Sequence, residues 1–186
     1  MKASEYMRKI AEEIGKTAAG VSDQKADRLA DRILRSKKVF VAGAGRSGLM
    51  LRAFAMRLMH MGFESHVVGE TLTPAVEEGD LLVIGSGSGE TESLLVMAKK
   101  AKQIGAHLVL ITIFSQSSIG VYADEVITIP ATTAKVLEKA GVDSIQPKGS
   151  LFEQALLIFC ETIILMLLKK MKIDFAKLMQ RHANLE

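Results

Sequence analysis

Ser86, Ser88 and Thr91 lie in the stretch GSGSGET (85–91), interleaved with glycines that let a ligand approach the backbone. Hydroxyls and free backbone N–H groups at a strand-to-helix turn can surround a small dianion without a lysine. The first-turn N–H groups and the helix dipole both favour negative charge there. The same stretch also reads as a plain turn, with Ser88 or Thr91 capping the next helix and Glu90 as a first-turn acid. A second glycine-rich turn, GAGRSG (43–48), has G-x-G-x-x-G spacing at Gly43, Gly45 and Gly48. A dinucleotide site with that spacing asks for an acid about 20 positions on, at the end of the next strand. Glu70 lies near such a place, so the spacing leaves that reading open. Neither turn has the lysine of a G-K-[ST] nucleotide loop, and the three hydroxyls of the second suit a phosphate monoester better than a cofactor. Two such turns at adjacent strand ends favour an anion site, to which Arg46 adds a counter-charge or a sugar-hydroxyl contact.

The segment QPKGSLFEQALLIF (146–159) places one carboxylate in an otherwise apolar run. Ser150 and Glu153 have the S-x-x-E spacing of a capping box, in which the serine accepts from a helix N–H and the glutamate reaches back. Glu153 is thus either a helix cap or a proton carrier, and its spacing fits both. His60, His66, His107 and His182 are scattered without ligand spacing such as H-E-x-x-H, so no metal constellation and no cofactor are expected.

These residues are positioned by a regular alternation. Residues 4–19 and 23–36 read as amphipathic helices, the second capped by Ser22 or Asp23. Strand-length apolar runs follow at 38–43, 64–69, 80–84, 107–113 and 125–130, with helical segments at about 46–61 and 90–104. That alternation predicts a parallel sheet covered on both faces, and right-handed crossovers make it an α/β three-layer αβα sandwich. A turn-rich stretch (131–149) leads to a long helix at 150–170. The expected organisation is a single domain, 1–186, with an N-terminal helical extension (1–36), a parallel sheet core (37–130) and C-terminal helices (150–186). The 150–170 helix is apolar on almost every side, so a lone small domain cannot bury it and self-association through it is expected.

Of 186 residues nearly half are apolar, and the net charge is a mild +3 with basic and acidic residues interspersed. No basic stripe marks a nucleic-acid binder. The apolar segment 151–168 is interrupted by Glu153, Gln154 and Glu161, so a membrane span is not expected. The lone Cys160 permits no internal disulfide, which fits a reducing, cytoplasmic compartment.

GSGSGET resembles the phosphosugar loop of the sugar isomerase (SIS) domain family. Together with AGAGRSGLMLRAFAMRLMHMG, QPKGSLFEQ and the terminal HANLE, it is similar to the family's hexulose-phosphate isomerases from about residue 38 onward. The resemblance implies a flavodoxin-like five-stranded sheet and a homotetramer. It implies conversion of D-arabino-3-hexulose 6-phosphate to fructose 6-phosphate, in the ribulose monophosphate pathway of formaldehyde fixation, alongside 3-hexulose-6-phosphate synthase. It suggests phosphate contacts from Ser47, Ser86, Ser88 and Thr91, with Glu153 as general base. The candidate substrate contacts are therefore Gly45, Arg46, Ser47, Ser86, Gly87, Ser88, Gly89, Glu90 and Thr91. Moving a carbonyl between neighbouring carbons also needs an oxygen-side proton carrier. His182 and His60 are the candidates, His182 by docking HANLE against a neighbouring subunit's site. Two other readings stand: a different SIS aldose–ketose phosphate isomerase, and a phosphosugar-binding module without catalysis.

Overall fold

The computed structural model describes residues 2–131, 144–174 and 181–185. The apolar runs form β1 (Val39–Gly43), β2 (Ser65–Val67), β3 (Leu81–Gly85), β4 (His107–Thr112) and β5 (Glu125–Thr128). All pair in parallel, in the order β2-β1-β3-β4-β5, which is the flavodoxin-like arrangement. The helices are α1 (Ala3–Ala18), α2 (Asp23–Arg35), α3 (Gly45–Met61), α4 (Glu92–Ile104) and α5 (Ser150–Met171). β2 is shorter than its apolar run because it is an edge strand, paired only with β1. The expected stretch 131–149 lies largely outside the described residues, as does much of the segment beyond 174, where further C-terminal helix was expected.

Alternating side chains share each strand between two cores. Val39, Val41, Leu81, Val83, Val109 and Ile111 face α2, α3 and α5. Phe40, Ala42, Leu82, Ile84, Leu108 and Leu110 face α4. Since both faces are covered, the strands read as unbroken apolar runs rather than alternating ones.

α5 explains the most apolar segment of the chain. By length and composition it could cross a membrane, yet Leu151, Phe152, Leu156, Phe159, Ile163 and Leu167 are buried in the larger core. Each such burial contributes about 1.5–3 kcal/mol. Ile158 and Leu165 remain exposed, and Ile158 lines a groove between α5 and the α1–α2 helices. Cys160 is buried, and burial pushes its thiol well above the ordinary range, which makes it inert. α2 is held by Ser22, which accepts from the Lys25 N–H, and by Lys170, which pairs with Asp27 and Asp31.

Candidate functional site

In a sheet of this order the strand sequence reverses between β1 and β3, and a crevice opens beyond their carboxyl ends. Gly43 and Gly85 are register partners there. A cavity of about 220 Å³ occupies the crevice, lined by Ser47, Ser86, Ser88 and Thr91 together with Lys148 and Glu153. Ile113 and Phe152 give it an apolar wall. The N-termini of α3 and α4 both open at this end of the sheet, adding two dipoles that favour an anion.

The glycines of the two turns have distinct physical tasks. A Cβ on Gly48 would come within 2.5 Å of the Gly43 carbonyl oxygen, so the first turn closes only with glycine at its third position. Gly89 has φ +68°, and a Cβ there would stand 2.2 Å from the Ser117 hydroxyl. The second turn thus lies tight against the loop after β4. Glu90 secures the same contact: its carboxylate accepts from both the N–H and the hydroxyl of Ser118. Those two hydrogen bonds hold its carboxyl below the usual carboxylate range, against a smaller opposing effect of burial. Glu90 was expected among the substrate contacts; its carboxylate is committed to Ser118, so it shapes the turn.

The hydroxyls of the turn keep capacity for a ligand. Ser86 Oγ accepts from the Gly89 N–H at 3.2 Å, Ser88 Oγ accepts from the Glu90 N–H at 3.2 Å, and the Ser86 and Thr91 hydroxyls stand 3.5 Å apart. Thr91 occupies the N-cap position of α4, yet its side chain makes no capping bond. The plain-turn alternative, in which Ser88 or Thr91 caps α4, is therefore not what forms.

Nor does the capping box at α5. Gly149 is the N-cap and no side chain caps it; Ser150 is already the first helical residue. The Glu153 N–H bonds the Gly149 carbonyl, as the helix ladder requires, and its carboxylate turns away to pair with Arg46. Glu153 is largely buried and lines the cavity, whereas Arg46 is mostly exposed at its edge. Glu70, the acid of the dinucleotide alternative, is paired with Arg52.

His60 and His182 come together, with ring centroids 5.2 Å apart and planes inclined by 27°. They do so at the opposite end of α3 from Ser47. At about 1.5 Å per residue, that is roughly 20 Å from the cavity of their own chain. His60 is buried, and desolvation, followed by the charges of His182 and Arg57, holds its pKa below the ordinary value. A charged ring capping carbonyls is thus not its role; Gly62 ends the helix in the left-handed conformation. His66 packs on Phe40 and His107 faces Asp124, both away from the site. Lys148, whose place in QPKGSLFEQ allows a phosphate contact, lines the cavity, and so does Phe152, which was not among the expected contacts.

The crevice, its hydroxyl-rich turn and the paired carboxylate define a phosphosugar-binding α/β domain. Residues 32–158 match the SIS domain family, and the chain belongs to that family. More narrowly, it is 51% identical over 186 residues to a 3-hexulose-6-phosphate isomerase of Bacillus subtilis, covering 100% of both chains. It is 43% identical over 177 residues to the 3-hexulose-6-phosphate isomerase of Mycobacterium gastri, covering 95% of this chain and 88% of the other. A crystal structure from Methanococcus jannaschii, for which a 3-hexulose-6-phosphate isomerase function was inferred, superposes with a TM-score of 0.83. It shares 39% identity over 98% of this chain and 99% of the other.

Proposed function

We propose that the protein is a soluble isomerase that interconverts D-arabino-3-hexulose 6-phosphate and D-fructose 6-phosphate. The observation that carries this reading is the presence of Glu153 on the wall of the same cavity as Ser47, Ser86, Ser88 and Thr91. A phosphate ester held by the hydroxyls and the helix N-termini places the sugar chain across the apolar wall, toward the carboxylate. Glu153 removes the C2 proton, giving a cis-enediolate between C2 and C3, and returns it at C3. One carboxylate serves both carbons because both protons leave and enter on one face. The proton on O2 must pass to O3, which calls for a second carrier. Full-length relatives that bear the name of this activity support the reading.

The second carrier and the self-association belong together. His60 and His182 lie too far from the cavity of their own chain to act there, so their action on the sugar oxygens would require a neighbouring subunit. The exposed Ile158 and Leu165 of α5 offer an apolar contact for one. A homotetramer that works in the cytoplasm, receiving its substrate from 3-hexulose-6-phosphate synthase, accords with both. Leu165→Glu should lower the molecular mass in solution, and a wild-type monomer at micromolar concentration would remove the subunit-sharing proposal.

The activity is tested by incubating fructose 6-phosphate with the protein in deuterated water and following C1 and C3 by NMR. Exchange at C3 is the expected result. Exchange at C1 would indicate aldose–ketose chemistry, and binding without exchange a sensor.

A further inference from the structure

Glu13 lies on α1, outside the cavity, yet its carboxylate anchors the segment that enters it. Oε1 accepts from the Ile145 N–H at 2.8 Å, while Oε2 accepts from the Ser144 hydroxyl at 2.6 Å and the Gln146 amide at 3.0 Å. The partners are more than 130 positions away in sequence, so this is a tertiary tether. Hydrogen bonds to an ionised carboxylate are roughly twice as strong as neutral ones. Burial works against ionisation of Glu13, but the bonds from Ser144, Ile145 and Gln146 and the charge of Lys16 outweigh it and hold the carboxyl below its ordinary pKa.

The tether continues to the base. Gln146 Oε1 accepts from Gln154 Nε2 at 2.7 Å, and Gln154 directly follows Glu153. Gln154 Oε1 is buried without a partner among the described residues, so the bond to Gln146 is what fixes that amide. Between the two glutamines, Lys148 and Gly149 line the cavity, and Gly149 accepts the Glu153 N–H. Ser144 Oγ also accepts from the Gln146 N–H at 3.0 Å, which stiffens the turn at the point where Glu13 grips it.

We propose that Glu13 is a positioning residue for the isomerase site: through Ser144, Ile145 and Gln146 it sets the 144–149 segment and the first turn of α5, and so the placement of Lys148 and Glu153 over the bound sugar. The inference rests on the isomerase reading for its kinetic part only. A displacement near 1 Å of a reacting group can cost about 100-fold in rate.

Glu13→Gln removes one acceptor and presents an amide to donors that need an oxygen. It should lower kcat by about 10- to 100-fold, a larger effect than any on KM, while inorganic phosphate still binds, because the 85–91 turn is untouched. Amide exchange should quicken over 144–153 and stay constant over 86–91. The swap Glu13→Gln with Gln146→Glu returns a carboxylate to the same junction and should restore most of kcat. The proposal is overturned by a wild-type kcat in Glu13→Gln, by exchange that quickens over the whole chain with loss of phosphate binding, or by a swap as slow as the single variant. Should the wild-type protein turn over nothing, the isomerase reading fails; the exchange pattern of Glu13→Gln still decides whether the tether sets the segment.

Discussion

Arg46, in the first turn of α3, forms an ion pair with Glu153, in the first turn of α5, across the mouth of the cavity. The two residues are 107 positions apart, and the pair joins the end of β1 to the only carboxylate lining the crevice among the described residues. It leaves Glu153 without a capping role, which separates the two roles open to it in the sequence.

Glu153→Gln should accordingly abolish turnover without loosening the helix. An amide cannot accept the C2 proton, so kcat should fall by about 100- to 10,000-fold, the usual range for a general base. Phosphate affinity should persist, because Ser86, Ser88 and Thr91 are unchanged. Steady-state kinetics with a parallel phosphate titration checks both. Near-wild-type turnover would leave Glu153 with no chemical role.

Gly89→Ala should damage the phosphate turn itself. The positive φ disfavours any side chain, and the new methyl would meet Ser117. Strain of this kind costs about 1–3 kcal/mol, and in a chain of this size each kcal/mol lowers Tm by about 2–4 °C. Calorimetry and a phosphate titration should show both properties falling together. An unchanged affinity would mean that the turn does not hold the ester.

The sheet was legible because its strands are buried on both faces, and an unbroken run such as LLVIG announces that directly. The hydroxyl-rich turn that lines the cavity was legible for a similar reason, since glycines and hydroxyls alternate within one short segment. The bond from Glu90 to Ser118 was not legible because Ser118 comes from a loop 28 positions on, and nothing local distinguishes a cap, a ligand contact and a clasp. Glu13 gave no signal at all: one acid on an amphipathic helix looks like any solvated acid until the fold brings Ser144, Ile145 and Gln146 against it. The S-x-x-E spacing at Ser150 misled in the opposite sense, because Gly149 takes the cap position and Arg46 draws the glutamate away.

Mild acid should destabilise the protein through buried His60 and half-buried His107. His60 titrates below its ordinary value of about 6.5, chiefly through burial, with His182 and Arg57 adding repulsion. Below that pH the unfolded chain takes up a proton that the folded one refuses, so stability falls as pH drops through the window and levels off beneath the folded pKa. His107 is shifted in the same direction by burial, with Arg32 contributing. Tm should therefore decline from pH 7.5 to 5.5, and His60→Gln with His107→Asn should flatten that decline. The acids Glu13 and Glu90, held below their ordinary values, add losses only at lower pH. An equal slope in the double variant would remove the histidines from the account.

Mixing two crippled subunits should reveal whether the histidines serve a neighbour. Within one chain, the length of α3 separates the His60–His182 pair from Glu153, and no side chain spans roughly 20 Å. His182→Asn and Glu153→Gln should each be slow as pure assemblies. When the chains are unfolded together and reassembled at equal amounts, half of the sites contain an intact Glu153. Half of those would receive an intact His182 from the facing subunit, so about a quarter of wild-type activity should return if the sites are shared across a symmetric interface. If each chain completed its own site, every site would keep one lesion and no activity would return. The outcome thus reads the subunit boundary directly from a rate.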